Sequence, residues 1–123
     1  MFRTRVDGDD CIYCGNPRTC WDHFPPHSYT LTGYLLPACL ECNKFASNHH
    51  PTKFEARREL VKRRIREEYR AVLETPYWSP EELEPLGDSL RLATKAWSAL
   101  RREVEARLAY YSDIEFAEHE SDD

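Results

Sequence analysis

The chain has 123 residues, 41% hydrophobic and 32% charged, with a formal net charge of −5 at pH 7. That size and balance suit one small domain, and the lack of any apolar run near the roughly 20 residues that span a bilayer argues against a membrane protein. Five cysteines, four of them in two close pairs, favour metal ligation over an extracellular disulfide framework, so a cytoplasmic location is the expectation.

Residues 1–10 are polar and predicted to form a loosely held arm. Cys11-Ile12-Tyr13-Cys14-Gly15 then has the form of a zinc knuckle, in which two thiolates flank a tight turn and Gly15 supplies a positive φ beside the metal. Cys20-Trp21-Asp22-His23-Phe24 is rich in aromatic residues and predicts a short strand that Pro25-Pro26 stops. A second strand is expected over Gly33-Tyr34-Leu35-Leu36, ended by Pro37 and joined to the first by an irregular hairpin loop. From Cys39 to Ser47 the pattern is a short helix that places Cys39 and Cys42 on one face.

The four thiolates of Cys11, Cys14, Cys39 and Cys42 have the number and spacing of a tetrahedral structural zinc site, with sulfur ligands at about 2.3 Å. Cys20 with His23 or His27 is a competing pair of zinc ligands, but it would leave one of the doubled cysteine pairs unused.

Beyond Pro51 the signals are helical. Thr52-x-x-Glu55 is a capping box that opens a segment with Phe54, Val61, Ile65 and Val72 on one stripe, predicted to end near Glu74. A second capping box, Ser79-x-x-Glu82 with Pro80 in the first turn, starts a short helix that Pro85 and Gly87 close. From Asp88 or Ser89 onward, Leu90, Ala93, Trp97, Leu100, Val104, Leu108 and Tyr111 form an apolar seam suited to packing on the preceding long helix as an antiparallel hairpin. The expected fold is therefore α+β and mostly helical: a zinc-braced β-hairpin and helix over 11–50, a helical extension over 51–112 and an acidic tail over 113–123.

Charge is unevenly spread. Residues 52–78 hold eight basic groups against five acidic ones, a balance of +3, whereas residues 79–123 hold five against twelve, a balance of −7. Nucleic-acid contacts are expected from the first block, where Lys53, Arg57 and Arg64 share one helical face, and not from the C-terminal end.

The order Cys-x-x-Cys, Asp22-His23-Phe24-Pro25-Pro26, Cys-x-x-Cys-Asn43 resembles the HNH endonuclease family over residues 11–48. The resemblance implies a ββα-metal core in a treble-clef zinc frame. It makes His23 a general base that activates water for attack on a DNA phosphodiester, a task suited to an imidazole with an ordinary pKa of about 6.5. It further makes Asp22 and Asn43 ligands of a catalytic Mg²⁺ or Mn²⁺, separate from the structural zinc. For the remaining helix ligand, Ser47 falls one turn after Asn43, with Asn48 close behind, and His49 and His50 are outside candidates. The chain departs from the family at Tyr34, which stands where an asparagine normally pins the loop carrying the histidine; its hydroxyl is the candidate substitute.

Two functions follow as expectations. One is a metal-dependent nuclease acting on DNA. The other is a catalytically inactive zinc module mediating protein or nucleic-acid interaction in a larger complex, a reading the net charge of −5 favours because non-specific DNA affinity rests on basic contacts. In either case the C-terminal helices could engage a protein partner.

Overall fold

The computed structural model of the chain describes residues 3–47, 49 and 53–114. It is α+β: three strands, β1 (Arg3–Arg5), β2 (Cys20–Phe24) and β3 (Gly33–Ala38), then helices α1 (Leu40–Ala46), α2 (Phe54–Glu68), α3 (Arg70–Glu74), α4 (Pro80–Leu83) and α5 (Asp88–Ala109). None of the described helices is long and apolar enough to cross a membrane.

The sheet has the order β1-β3-β2. β2 and β3 form the expected hairpin, with Asp22 opposite Leu36, His23 opposite Leu35 and Phe24 opposite Tyr34. β1 was not expected: residues 3–5 lie parallel to β3, opposite Gly33, Tyr34 and Leu35, instead of forming a loose arm. A buried arginine holds them there, since Arg3 donates to the carbonyls of Tyr34 at 3.1 Å and Thr30 at 2.6 Å. β3 also runs through Pro37 to Ala38 instead of ending before the proline. Pairing with β1 stops at Leu35, so the missing Pro37 N–H falls beside an unpaired stretch of β3, where only the carbonyl is used, by the Ile12 N–H at 2.8 Å.

Successive strand residues face opposite sides of the sheet. Asp22, Phe24, Leu36 and Ala38 face inward and are buried, and the Phe54 ring of α2 meets Tyr13 at 5.6 Å and Phe24 at 6.0 Å between centroids. The predicted stripe is the one buried: Phe54, Val61 and Ile65 on α2 and Val72 on α3. The helix is interrupted at Tyr69 (φ −106°, ψ 24°) and resumes as α3. Lys53 is the α2 N-cap, without a side-chain cap bond. Thr52 of the predicted capping box, Asn48, His50 and the tail beyond 114 lie outside the described residues. At the tail's start, Ile114 packs against the core. The Ser79–Glu82 capping box forms as predicted.

Lys62 of α2 approaches residues 107–110, while Thr75 after α3 approaches Trp97 and Arg101, so α5 runs antiparallel to α2 and α3. Val104 is buried in this interface, with Leu100 and Leu108 packed beside it. The expected seam fails toward the start of α5, where Leu90 is 57% and Trp97 41% exposed. The fully buried Lys62 ammonium donates to the carbonyls of Arg107 (3.1 Å), Leu108 (3.0 Å) and Tyr110 (2.5 Å). It thereby caps the end of α5 where the helix dipole is negative. Lys62→Met leaves those carbonyls without their buried donor and is expected to cost about 1–3 kcal/mol, read as a lower urea midpoint.

Candidate metal centre and histidine cleft

The knuckle, the end of β3 and the start of α1 bring four buried thiols together: all Sγ atoms of Cys11, Cys14, Cys39 and Cys42 lie within 4.8 Å of one another. Cys14 and Cys39 are 3.7 Å apart, against about 3.8 Å for two sulfurs on a tetrahedral zinc with 2.3 Å bonds. The donor set and its geometry fit a structural zinc ion. Gly15 takes φ +80° behind the knuckle, and a Cβ there would stand 2.7 Å from the Tyr110 ring. Cys39 is also the α1 N-cap, its sulfur accepting from the Cys42 N–H at 3.4 Å, which fixes the second pair at the helix start. Hydrogen bonding among the four sulfurs lowers the pKa of Cys14 and Cys39 and raises those of Cys11 and Cys42.

A cation from the far end of the chain completes this centre. Arg107 of α5 is buried, donating to Glu41 at 2.6 Å and to the Cys42 sulfur at 3.5 Å. Burial would lower its pKa, but hydrogen bonds to Cys14, Glu41 and Cys42 hold it raised. Zinc with four thiolates carries a net charge of about −2, and a guanidinium against the sulfurs offsets part of it. Tyr69 donates to the other oxygen of Glu41 at 2.6 Å, so the pair is itself held. Arg107 had no signal in the sequence beyond its place in a charged helix.

Asp22 and His23 point to opposite sides of the sheet. Asp22 is 2% exposed and forms an ion pair with the fully buried Arg57: Nη2 to Oδ1 at 2.8 Å and Nε to Oδ2 at 3.1 Å. The Tyr13 hydroxyl also donates to Oδ2. Both carboxylate oxygens are therefore engaged, which does not fit Asp22 as a ligand of a divalent cation. The same pair removes Arg57 from any phosphate-contacting role, since its guanidinium is wholly inside and further donates to the carbonyls of His49 and Ser47. Arg64 turns back onto the Phe45 carbonyl and Lys53 stays exposed at the start of α2, so the three do not form the expected basic face. The helical spacing was right, but burial divides the residues it groups.

His23, in contrast, opens into a cleft of about 330 Å³ between β2 and α1, lined by Asp22, His23, Pro26, His27, Leu40, Asn43, Lys44 and Ser47. Thus His23 and Asn43 come together as expected, with Ser47 one turn beyond Asn43. His27, missed as a cleft residue, stacks on His23 with ring centroids 5.4 Å apart, because the chain turns back after Pro25-Pro26. Partial burial, then the charges of Arg3 and His27, lower the His23 pKa below its ordinary value, which keeps the ring neutral at pH 7. Tyr34 is not in this cleft. It lies one residue from Leu35, the partner of His23, and so faces the other side of the sheet, lining a separate hollow with Thr4, Pro25 and Thr30. The loop is instead pinned by Arg3, through the carbonyls of Thr30 and Tyr34.

Compared with known proteins, the chain matches no family model, no curated protein and no solved structure.

Proposed function

We propose that the protein is a metal-dependent endonuclease of the HNH type, in which His23 is the general base and the four-cysteine zinc is the frame. The observation that carries this reading is the cleft that sets a solvent-facing His23 across from Asn43. His23 would take a proton from a water that attacks the scissile phosphorus, and a lowered pKa favours the form able to accept it. With both Asp22 oxygens held by Arg57 and Tyr13, the side-chain oxygens left for a hard cation are those of Asn43 and Ser47, a sparse set that suits Mg²⁺ or Mn²⁺ keeping most of its waters. When bound, such an ion supplies charge stabilisation at the phosphorane and the leaving oxygen. Lys44, at the cleft rim, adds positive charge on the side a phosphate would enter.

A second reading has its own support. The Asp22–Arg57 pair and the displacement of Tyr34 favour a catalytically inactive zinc module that uses the same frame for binding. Plasmid nicking separates the two. With Mg²⁺ or Mn²⁺, supercoiled DNA is expected to be nicked by the parent protein and at least about 100-fold more slowly by His23→Ala, the range of a lost general base. The rate should rise with pH and reach half its plateau below pH 6.5, because the base is active when deprotonated and its pKa is lowered. Nicking unaffected by His23→Ala would remove His23 as the base; no nicking with any divalent ion would leave the binding module.

A further inference from the structure

The outer face of the sheet carries a group that neither the zinc frame nor the cleft uses. Trp21 lies two residues before His23 on β2 and therefore faces the same side. Two guanidinium groups sit over its ring, that of Arg5 at 5.1 Å from the centroid and that of Arg18 at 4.5 Å. The register joins them to the cleft: Arg5 is opposite Leu35 on β3, and Leu35 is opposite His23 on β2. Arg5, Leu35 and His23 thus form one row across the outer face, about 10 Å from end to end at the ordinary strand spacing.

Charge distinguishes this group from the other arginines near the sheet and the zinc. Arg3 is spent on two backbone carbonyls, Arg57 on Asp22 and Arg107 on Glu41. Among the described residues, Arg5 and Arg18 enter no ion pair. Arg18 uses only its Nε, on the Gly8 carbonyl at 3.2 Å, which leaves its two terminal nitrogens. An arginine stacked on an indole keeps its N–H edge free, and that planar edge matches two phosphate oxygens at once.

We propose that Arg5 and Arg18, held by Trp21, bind the phosphodiester backbone of a nucleic-acid strand and lead it along the outer sheet face to His23. Trp21 acts as the positioning residue, fixing two side chains that would otherwise lose rotamer freedom on binding. The direction of the strand, toward His23, rests on the cleft being the working site. The binding itself does not.

The test is fluorescence anisotropy of labelled single-stranded and duplex oligonucleotides with zinc-loaded His23→Ala protein and no added divalent ion, so that a cleft without hydrolytic activity leaves the result intact. Binding is expected to weaken with salt, and Arg5→Gln/Arg18→Gln should lose at least about tenfold in affinity and flatten the log–log salt slope by nearly two, one per phosphate contact. Trp21→Leu should lose part of the affinity with both charges still present. Lys53→Gln/Arg64→Gln is expected to bind like the parent. Because Arg5 is exposed and its side chain carries no hydrogen bond among the described residues, Arg5→Gln alone serves if the double variant loses its fold. Absence of saturable binding at low salt, unchanged affinity in the arginine variants, or equal displacement by polyglutamate would overturn the proposal.

Discussion

Serine in place of Cys42 is expected to release the zinc and with it the cooperative fold of the N-terminal half. Cys42 is completely buried between α1 and the knuckle, and its sulfur meets the other three thiols and Arg107. The elements it joins are small, a sheet of five- and six-residue strands beside a three-residue one and a seven-residue helix, and the cysteines themselves make up much of the core between them. Structural zinc in units of this kind contributes about 10–16 kcal/mol of apparent binding energy near pH 7, comparable to the whole 5–15 kcal/mol stability of typical domains. The expected result for Cys42→Ser is zinc content near zero and loss of the near-ultraviolet dichroism of Tyr13 and Trp21. A folded Cys42→Ser protein with an unchanged thermal midpoint would contradict it. Arg107 should then lose the charge that holds it in place, which makes the docking of α5 sensitive to the metal as well.

The second large effect concerns the buried ion pair. Arg57→Ala leaves the Asp22 carboxylate inside the protein with the Tyr13 hydroxyl but no cation, and a loss of about 3–5 kcal/mol is expected in urea unfolding. The stem of Arg57 also lies in the core, so part of the loss is packing. Replacing both partners with apolar residues, Asp22→Leu with Arg57→Met, should recover most of it, because the penalty comes from one charge left without the other. If Arg57→Ala cost less than about 1 kcal/mol, the pair would be solvent-exposed or absent, and Asp22 would again be available as a metal ligand.

The contrast between these two sites explains what could be read from the sequence and what could not. The cysteine spacing, the hairpin, the α2 stripe and the Ser79 capping box are local patterns, and each leaves a periodic or positional trace that the fold keeps. The Asp22–Arg57 pair is 35 residues apart in the chain, and Arg107 lies 65 residues from Cys42. Nothing in a single sequence marks which of many arginines turns inward to meet such a partner. Arg57 illustrates the difficulty well: helical spacing put it on a face with Lys53 and Arg64, but the inward-facing carboxylate of β2 decides its environment. The parity of the strand carried a clue that was available, since adjacent residues such as Asp22 and His23 must face opposite sides unless the strand is bent. Likewise β1 lacked any apolar alternation, because its pairing with β3 relies on Arg3 reaching two carbonyls.

The seam at Trp97 was legible as an amphipathic pattern but not as a partly exposed one. Where α5 extends past Thr75 there is no further length of α3 to cover it, so Leu90 remains 57% exposed. The periodicity describes what the helix offers, and the lengths of its neighbours decide what is covered.

Zinc X-ray absorption spectroscopy on the purified protein bears most directly on the frame that presents His23. The result predicted is one zinc per chain in a shell of four sulfurs at about 2.3 Å, lost in Cys42→Ser and unchanged in His23→Ala and His27→Ala. A protein that folds without zinc, or a shell containing nitrogen that disappears when His23 or His27 is replaced, would contradict the separation of the cysteine frame from the histidine cleft.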